Sequence, residues 1–91
     1  MVMKIINNKI YNCTNDCIML SKLKAKWIEV AKNDILKNNG NGIRLVCVKN
    51  ITNDPAKVNI RNNSISESYC SYGIMVENSS VTLEHNEIRK N

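Results

Sequence analysis

The strongest constraint on what this chain can fold into is an internal repeat. Met3-Lys4-Ile5-Ile6-Asn7-Asn8-Lys9-Ile10 aligns with Ile28-Glu29-Val30-Ala31-Lys32-Asn33-Asp34-Ile35, with Val58-Asn59-Ile60-Arg61-Asn62-Asn63-Ser64-Ile65, and with Val81-Thr82-Leu83-Glu84-His85-Asn86-Glu87-Ile88. In this frame Asn8, Asn33, Asn63 and Asn86 coincide, as do Ile10, Ile35, Ile65 and Ile88. Two apolar columns precede them: Met3, Ile28, Val58, Val81 and Ile5, Val30, Ile60, Leu83. A recurrence of roughly 23 to 30 residues is the length of one solenoid coil. A second element follows each of the first three segments, at Cys17-Ile18-Met19-Leu20, Gly42-Ile43-Arg44-Leu45 and Gly73-Ile74-Met75-Val76. Both elements alternate apolar and other residues with a period of two, which fits strands with one buried face and not helices.

Between these elements, Lys37-Asn38-Asn39-Gly40-Asn41-Gly42 and Asn53-Asp54-Pro55 read as turns, since Gly and Asn accept positive φ and Pro fixes it. If equivalent positions stack coil on coil, the recurring Asn forms an asparagine ladder, because its amide can donate to one neighbour and accept from the other. Charge tests the register. Lys4 falls beside Glu29, Lys9 beside Asp34 and Arg61 beside Glu84, exposed pairs each worth about a few tenths of a kcal/mol. The apolar residues are mostly Ile, Val, Leu and Met, with no Phe, three Tyr and one Trp, which suits narrow repetitive layers. The expected fold is all-β: a short right-handed parallel β-helix, residues 1–91 forming a single solenoid domain of about three to four coils with open ends. The fourth coil is expected to stop after its first strand.

The tracts Val58 to Ile65 leading to Tyr72-Gly73-Ile74-Met75-Val76, and Asp34-Ile35-Leu36-Lys37-Asn38-Asn39-Gly40-Asn41-Gly42-Ile43, resemble the right-handed parallel β-helix repeats of pectate lyases and polygalacturonases. In repeat style the chain is closest to intracellular, non-catalytic β-helix modules such as those of F-box ubiquitin-ligase subunits. The resemblance covers almost the whole chain and implies the fold; it leaves the function open, because unrelated activities share this coil.

Enzymes of that resemblance act through clustered carboxylates. Here Asp16, Glu29, Asp34, Asp54, Glu67, Glu77, Glu84 and Glu87 are scattered, and no adjacent Asp pair occurs. His85, the sole histidine, sits immediately before a repeated Asn and reads as a surface residue beside a turn. Gly40-Asn41-Gly42 is a turn and not a phosphate-binding loop. No catalytic residue, cofactor or metal is therefore expected. Cys13, Cys17, Cys47 and Cys70 lack paired CxxC spacing and read as small, partly buried thiols, although Cys13 and Cys17 are close enough for a metal or oxidation to join them. The sequons at Asn12, Asn50, Asn62 and Asn78 are what an Asn-rich chain generates by chance. The formal charge of +5 permits acidic partners without naming one, and no nucleic-acid role is expected. The N-terminus lacks a secretory apolar core and no stretch suffices for a membrane span, so a cytoplasmic location is expected.

The sharper expectation is a partner surface on the first two coils. Outward columns hold Val2 and Trp27, Ile6 and Ala31, and Tyr11 and Leu36, where later coils hold Lys57 and Ser80, Arg61 and Glu84, and Ser66 and Arg89. Lys22, Lys24 and Lys26 alternate, so an extended segment shows them on one face, either to an acidic protein or as a solvated edge that blocks aggregation. The expected function is a non-catalytic structural or protein-interaction module, completed by a protein partner or a second copy through the coil ends or the N-terminal apolar face. The alternative is a carbohydrate-binding module or the remnant of a carbohydrate-active one, with Trp27 and the tyrosines as its few stacking platforms.

Overall fold

The computed structural model describes residues 2–38, 40–49, 56–68 and 73–89. Alternation dictates the elements: β1 (Val2–Ile6), β2 (Lys9–Tyr11), β3 (Ile18–Ser21), β4 (Trp27–Ala31), β5 (Asp34–Asn38), β6 (Ile43–Val46), β7 (Lys57–Arg61), β8 (Ser64–Ser68), β9 (Ile74–Glu77), β10 (Val81–Glu84) and β11 (Glu87–Arg89). They assemble into three parallel sheets, ordered β1-β4-β7-β10, β2-β5-β8-β11 and β3-β6-β9. One coil contributes one strand to each sheet, as a parallel β-helix requires. The described part of the fourth coil contains two strands, β10 and β11, rather than the single strand expected, because the repeated Asn divides each aligned segment into two.

Register follows the repeat residue for residue: Met3 pairs with Ile28, Ile28 with Val58, and Val58 with Val81. The inward rows Ile28, Val30, Ile35, Ile43, Leu45, Ile60 and Ile65 are sealed from solvent. Burying one such side chain is worth about 1.5–3 kcal/mol.

Two-residue corners join the first sheet to the second. Their first residues, Asn7, Lys32, Asn62 and His85, have φ of 61°, 55°, 54° and 52°. This left-handed step turns the chain within one residue, and among residues that carry a Cβ Asn tolerates it best. The second residue of each corner is the repeated Asn. Asn8, Asn33 and Asn63 each donate from Nδ2 to Oδ1 of the next Asn, at 3.1, 3.0 and 3.0 Å, over separations of 25, 30 and 23 residues. Their backbone N–H groups donate to the same oxygens. The remaining Nδ2 hydrogens of Asn33, Asn63 and Asn86 reach the carbonyls of Ile5, Val30 and Ile60. Every polar atom of a buried amide is thereby used, which neither Asp nor Ser could match.

The glycines behave differently from expectation. No described glycine has positive φ. Gly42 is required for room, since a Cβ there would stand 2.7 Å from the Gly73 carbonyl oxygen and 2.7 Å from Ile65 Cγ2. Lys37 and Asn38 extend β5 instead of turning, and Asn53-Asp54-Pro55 lie outside the described residues.

The cysteines divide. Cys13 and Cys17 form a disulfide, Cα atoms 5.5 Å apart, within the connection from β2 to β3. This replaces the expected pair of thiols there, because the loop folds back far enough to bring the two side chains together. Cys47 is free, and Cys70 lies outside the described residues.

Candidate protein-interaction surface

The corner between the third and first sheets carries the charge. Between β3 and β4, Leu23 and Ala25 turn inward while Lys22, Lys24 and Lys26 are exposed. Ala25 is small enough to sit against the core, but the connection is not the extended segment expected: Lys22 is left-handed, with φ of 51°, and the chain bends at residues 22 and 26, so the three lysines are exposed without forming one extended row. Lys22 N–H donates to Val46 O, Ala25 N–H to Lys49 O, and Lys49 N–H to Leu23 O. Lys24 and Lys49 are thus directly bridged across neighbouring coils. Lys57 begins β7 in register with Trp27, and Lys4 Nζ stands 5.4 Å from the Trp27 ring centroid. Such a contact is worth about 0.5–1 kcal/mol at an exposed site.

Lys4, Lys49 and Lys57 therefore join the three lysines read from the sequence. The signal for Lys49 was present: it stands 25 positions after Lys24, the same step that relates Asn8 to Asn33.

The expected apolar face is only partly assembled. Val2 and Trp27 pair at the start of the first sheet's strands and Ile6 stands at the far end of β1, with Val2 exposed and the other two half-buried. Ala31 is a correction. It is 1 % exposed and offers no contact surface, because it lies in register between the longer Ile6 and Arg61. Tyr11, 59 % exposed, pairs with half-buried Leu36 in the second sheet, beyond the corner. The lysines and Trp27 are brought together, and the Tyr11–Leu36 pair is set apart.

Charged side chains choose partners by reach. Lys4 and Glu29, Lys9 and Asp34, and Arg61 and Glu84 are in register as expected. The Arg61 guanidinium, however, turns to Glu29, at 2.8 Å from Nη2 and 3.0 Å from Nε. Glu29 is buried, so this pair is less screened than one with exposed Glu84.

Arg44 gathers two of the carboxylates that look scattered in sequence. It lies 3.8 Å from Asp16 and 3.1 Å from Glu77, tying the first three coils on the third sheet. Asp16 Oδ1 also accepts the Asn41 backbone N–H at 2.7 Å. The carboxylates therefore serve as ties between coils. Among the described residues no group of three His, Cys, Asp or Glu side chains could hold a metal. His85 sits exposed on its corner, at the edge of an open depression of about 250 Å³ lined by Ile74, Leu83, Glu84, Asn86 and Ile88. Among the described residues no helix is long and apolar enough to cross a membrane.

No curated protein and no solved structure matches the chain. Residues 2–91 match the right handed beta helix region, and with its three parallel sheets and repeated corners the chain belongs to that family.

Proposed function

We propose that the chain is a non-catalytic structural module whose open coil face docks on another β-helical coil, supplied by a partner protein or a second copy. One observation carries this reading. Leu83 and Ile88 are each 53 % exposed, although Ile60 and Ile65, in the same inward rows one coil earlier, are fully buried. Together with Ile74 and Val81 they form an apolar floor of the composition that coils elsewhere in the molecule cover. Among the described residues β10 and β11 pair on one side only, and such sheet edges favour strand-on-strand docking.

Light scattering and circular dichroism on the 91-residue chain test it. A β-rich species that grows with concentration, and that Leu83→Lys with Ile88→Lys returns to monomer without loss of β signal, is the expected result. A folded monomer at all concentrations would sink the reading. The surroundings of the module bear on the Cys13–Cys17 bond, since oxidising compartments keep such bonds and the cytoplasm opens them. Intact mass under non-reducing conditions shows whether the bond is present in the isolated chain.

A further inference from the structure

We propose that the coil docking on the fourth coil is the first coil of a second copy, so that copies stack head to tail. The proposal rests on the coil-face reading above and names its partner and polarity.

The asparagine ladder has a direction. The backbone N–H and one Nδ2 hydrogen of Asn8, Asn33 and Asn63 point to Oδ1 of the Asn in the following coil. From the second coil on, the other Nδ2 hydrogen points back to the carbonyl three residues before the preceding Asn, at Ile5, Val30 and Ile60. The two ends are therefore unlike. Asn86 gives one Nδ2 hydrogen to Ile60 O, and among the described residues its backbone N–H and second Nδ2 hydrogen have no acceptor. Asn8 is the reverse: its Oδ1 accepts no hydrogen bond among the described residues, and its spare Nδ2 hydrogen turns to the Ile6 carbonyl of its own strand at 3.3 Å.

A first coil stacked on a fourth coil meets both needs. Asn86 then donates to Oδ1 of Asn8 of the second copy, whose Nδ2 reaches the Leu83 carbonyl, the position equivalent to Ile5, Val30 and Ile60. Two fourth coils docked on each other would bring two donor ends to the contact and leave them unmet, at a cost in free energy.

The same register suits the flanking rows. Lys9, Asp34, Ser64 and Glu87 occupy one row, so Lys9 of the second copy falls on Glu87, opposite in charge and likewise exposed. Met3, Ile5 and Ile10 are half-buried, although Ile28, Val30 and Ile35 in the same rows of the next coil are sealed from solvent. The first coil thus carries the apolar rows that would cover Val81, Leu83 and Ile88. The contact runs through the first two sheets, since the third ends at β9 among the described residues.

Two variants block one end each: Ile5→Lys with Ile10→Lys at the first coil, and Leu83→Lys with Ile88→Lys at the fourth. Light scattering is measured on each alone and on their equimolar mixture, with circular dichroism to follow the β signal. Each variant alone should have the mass of one chain at concentrations where the unaltered chain grows. The mixture should stop at twice that mass, because only one pair of intact ends remains. The unaltered chain supplies a second measurement. Lys9 and Glu87 of one copy stand three coil steps, about 14 Å, apart, beyond the reach of a zero-length carbodiimide link. In a mixture of isotope-labelled and unlabelled chains, mass spectrometry should find Lys9 joined to Glu87 in peptides that combine the two.

A first-coil variant that still dimerises, or a mixture that stays monomeric, together with no mixed-isotope link, would overturn head-to-tail stacking and leave the coil-face reading standing. An unaltered chain that is monomeric at all concentrations would overturn both. The link in the unaltered chain decides the matter if a blocked variant loses its β signal.

Discussion

Leu83 and Ile88 continue the inward rows of Ile60 and Ile65 with equivalent chemistry, yet the inner pair is fully buried and the outer pair is half exposed. What distinguishes them is the number of paired neighbours: β7 and β8 lie between two strands, whereas β10 and β11 pair, among the described residues, with one. In a globular core a residue is buried by elements from many directions, whereas in a solenoid each coil is sealed by the coils on either side, so burial depends on having a neighbour on both faces. The inner coils thereby hold the stability, and among the described residues the fourth coil presents apolar side chains and strands paired on one side only.

Substitution in the two regions should break this contrast if it is mistaken. The largest effect is expected in the apolar rows. Ile60→Ala should lower the unfolding free energy by about 2–5 kcal/mol, and Leu83→Ala by about 1 kcal/mol or less, since half of its side chain already meets water. Urea denaturation of both variants checks it, and equal losses would show that the outer row is covered in solution.

The corner amides come next. Asn63→Ala strands the Asn33 donors and the Val30 carbonyl in a buried site, at about 1–3 kcal/mol for each group left unpaired. Asn86→Ala should cost clearly less, because Asn86 is partly exposed and water can replace it. Amide hydrogen exchange at Asn33 and Asn63 separates the two cases.

Glycine tests packing between coils. Gly42→Ala drives a methyl into the Gly73 backbone and Ile65 and should cost about 1–3 kcal/mol. Gly73→Ala meets only the Ile88 side chain, at 2.6 Å, which can swing outward. Thermal unfolding should rank Gly42→Ala below Gly73→Ala.

The smallest effect is expected from reducing the Cys13–Cys17 disulfide, which closes a loop of few residues and stabilises by at most about 2 kcal/mol. Hydrogen exchange should show the loss confined to the first coil, sharpening the difference between its stapled loop and the uncovered β10–β11 edge.

The repeat, the strand alternation and the Asn positions were legible because they are periodic, and stacking converts period directly into register. Glycine was misread as a residue for positive φ. Its use at Gly42 is close approach to Gly73 and Ile65, which are far away in sequence, while Lys32, Cys47 and His85 take left-handed corners that composition would have assigned to Gly or Asn. Of the candidate surface, Lys22, Lys24 and Lys26 were visible by alternation and Lys57 by its column with Trp27; Lys49 required the coil step to be applied to lysine as well as to asparagine. Burial of Ala31 was not legible, because it depends on the lengths of Ile6 and Arg61 beside it.

The sequence by itself determined the architecture, the pairing of rows and the corner amides of this protein, since each follows from a repeat whose period is local and whose register is fixed by inward apolar residues. Tertiary structure alone decided which members of a row are covered, that Arg61 pairs with Glu29, that Arg44 gathers Asp16 and Glu77, and that Cys13 meets Cys17. These outcomes depend on side-chain reach and on what lies above and below a coil, quantities that a one-dimensional pattern does not carry.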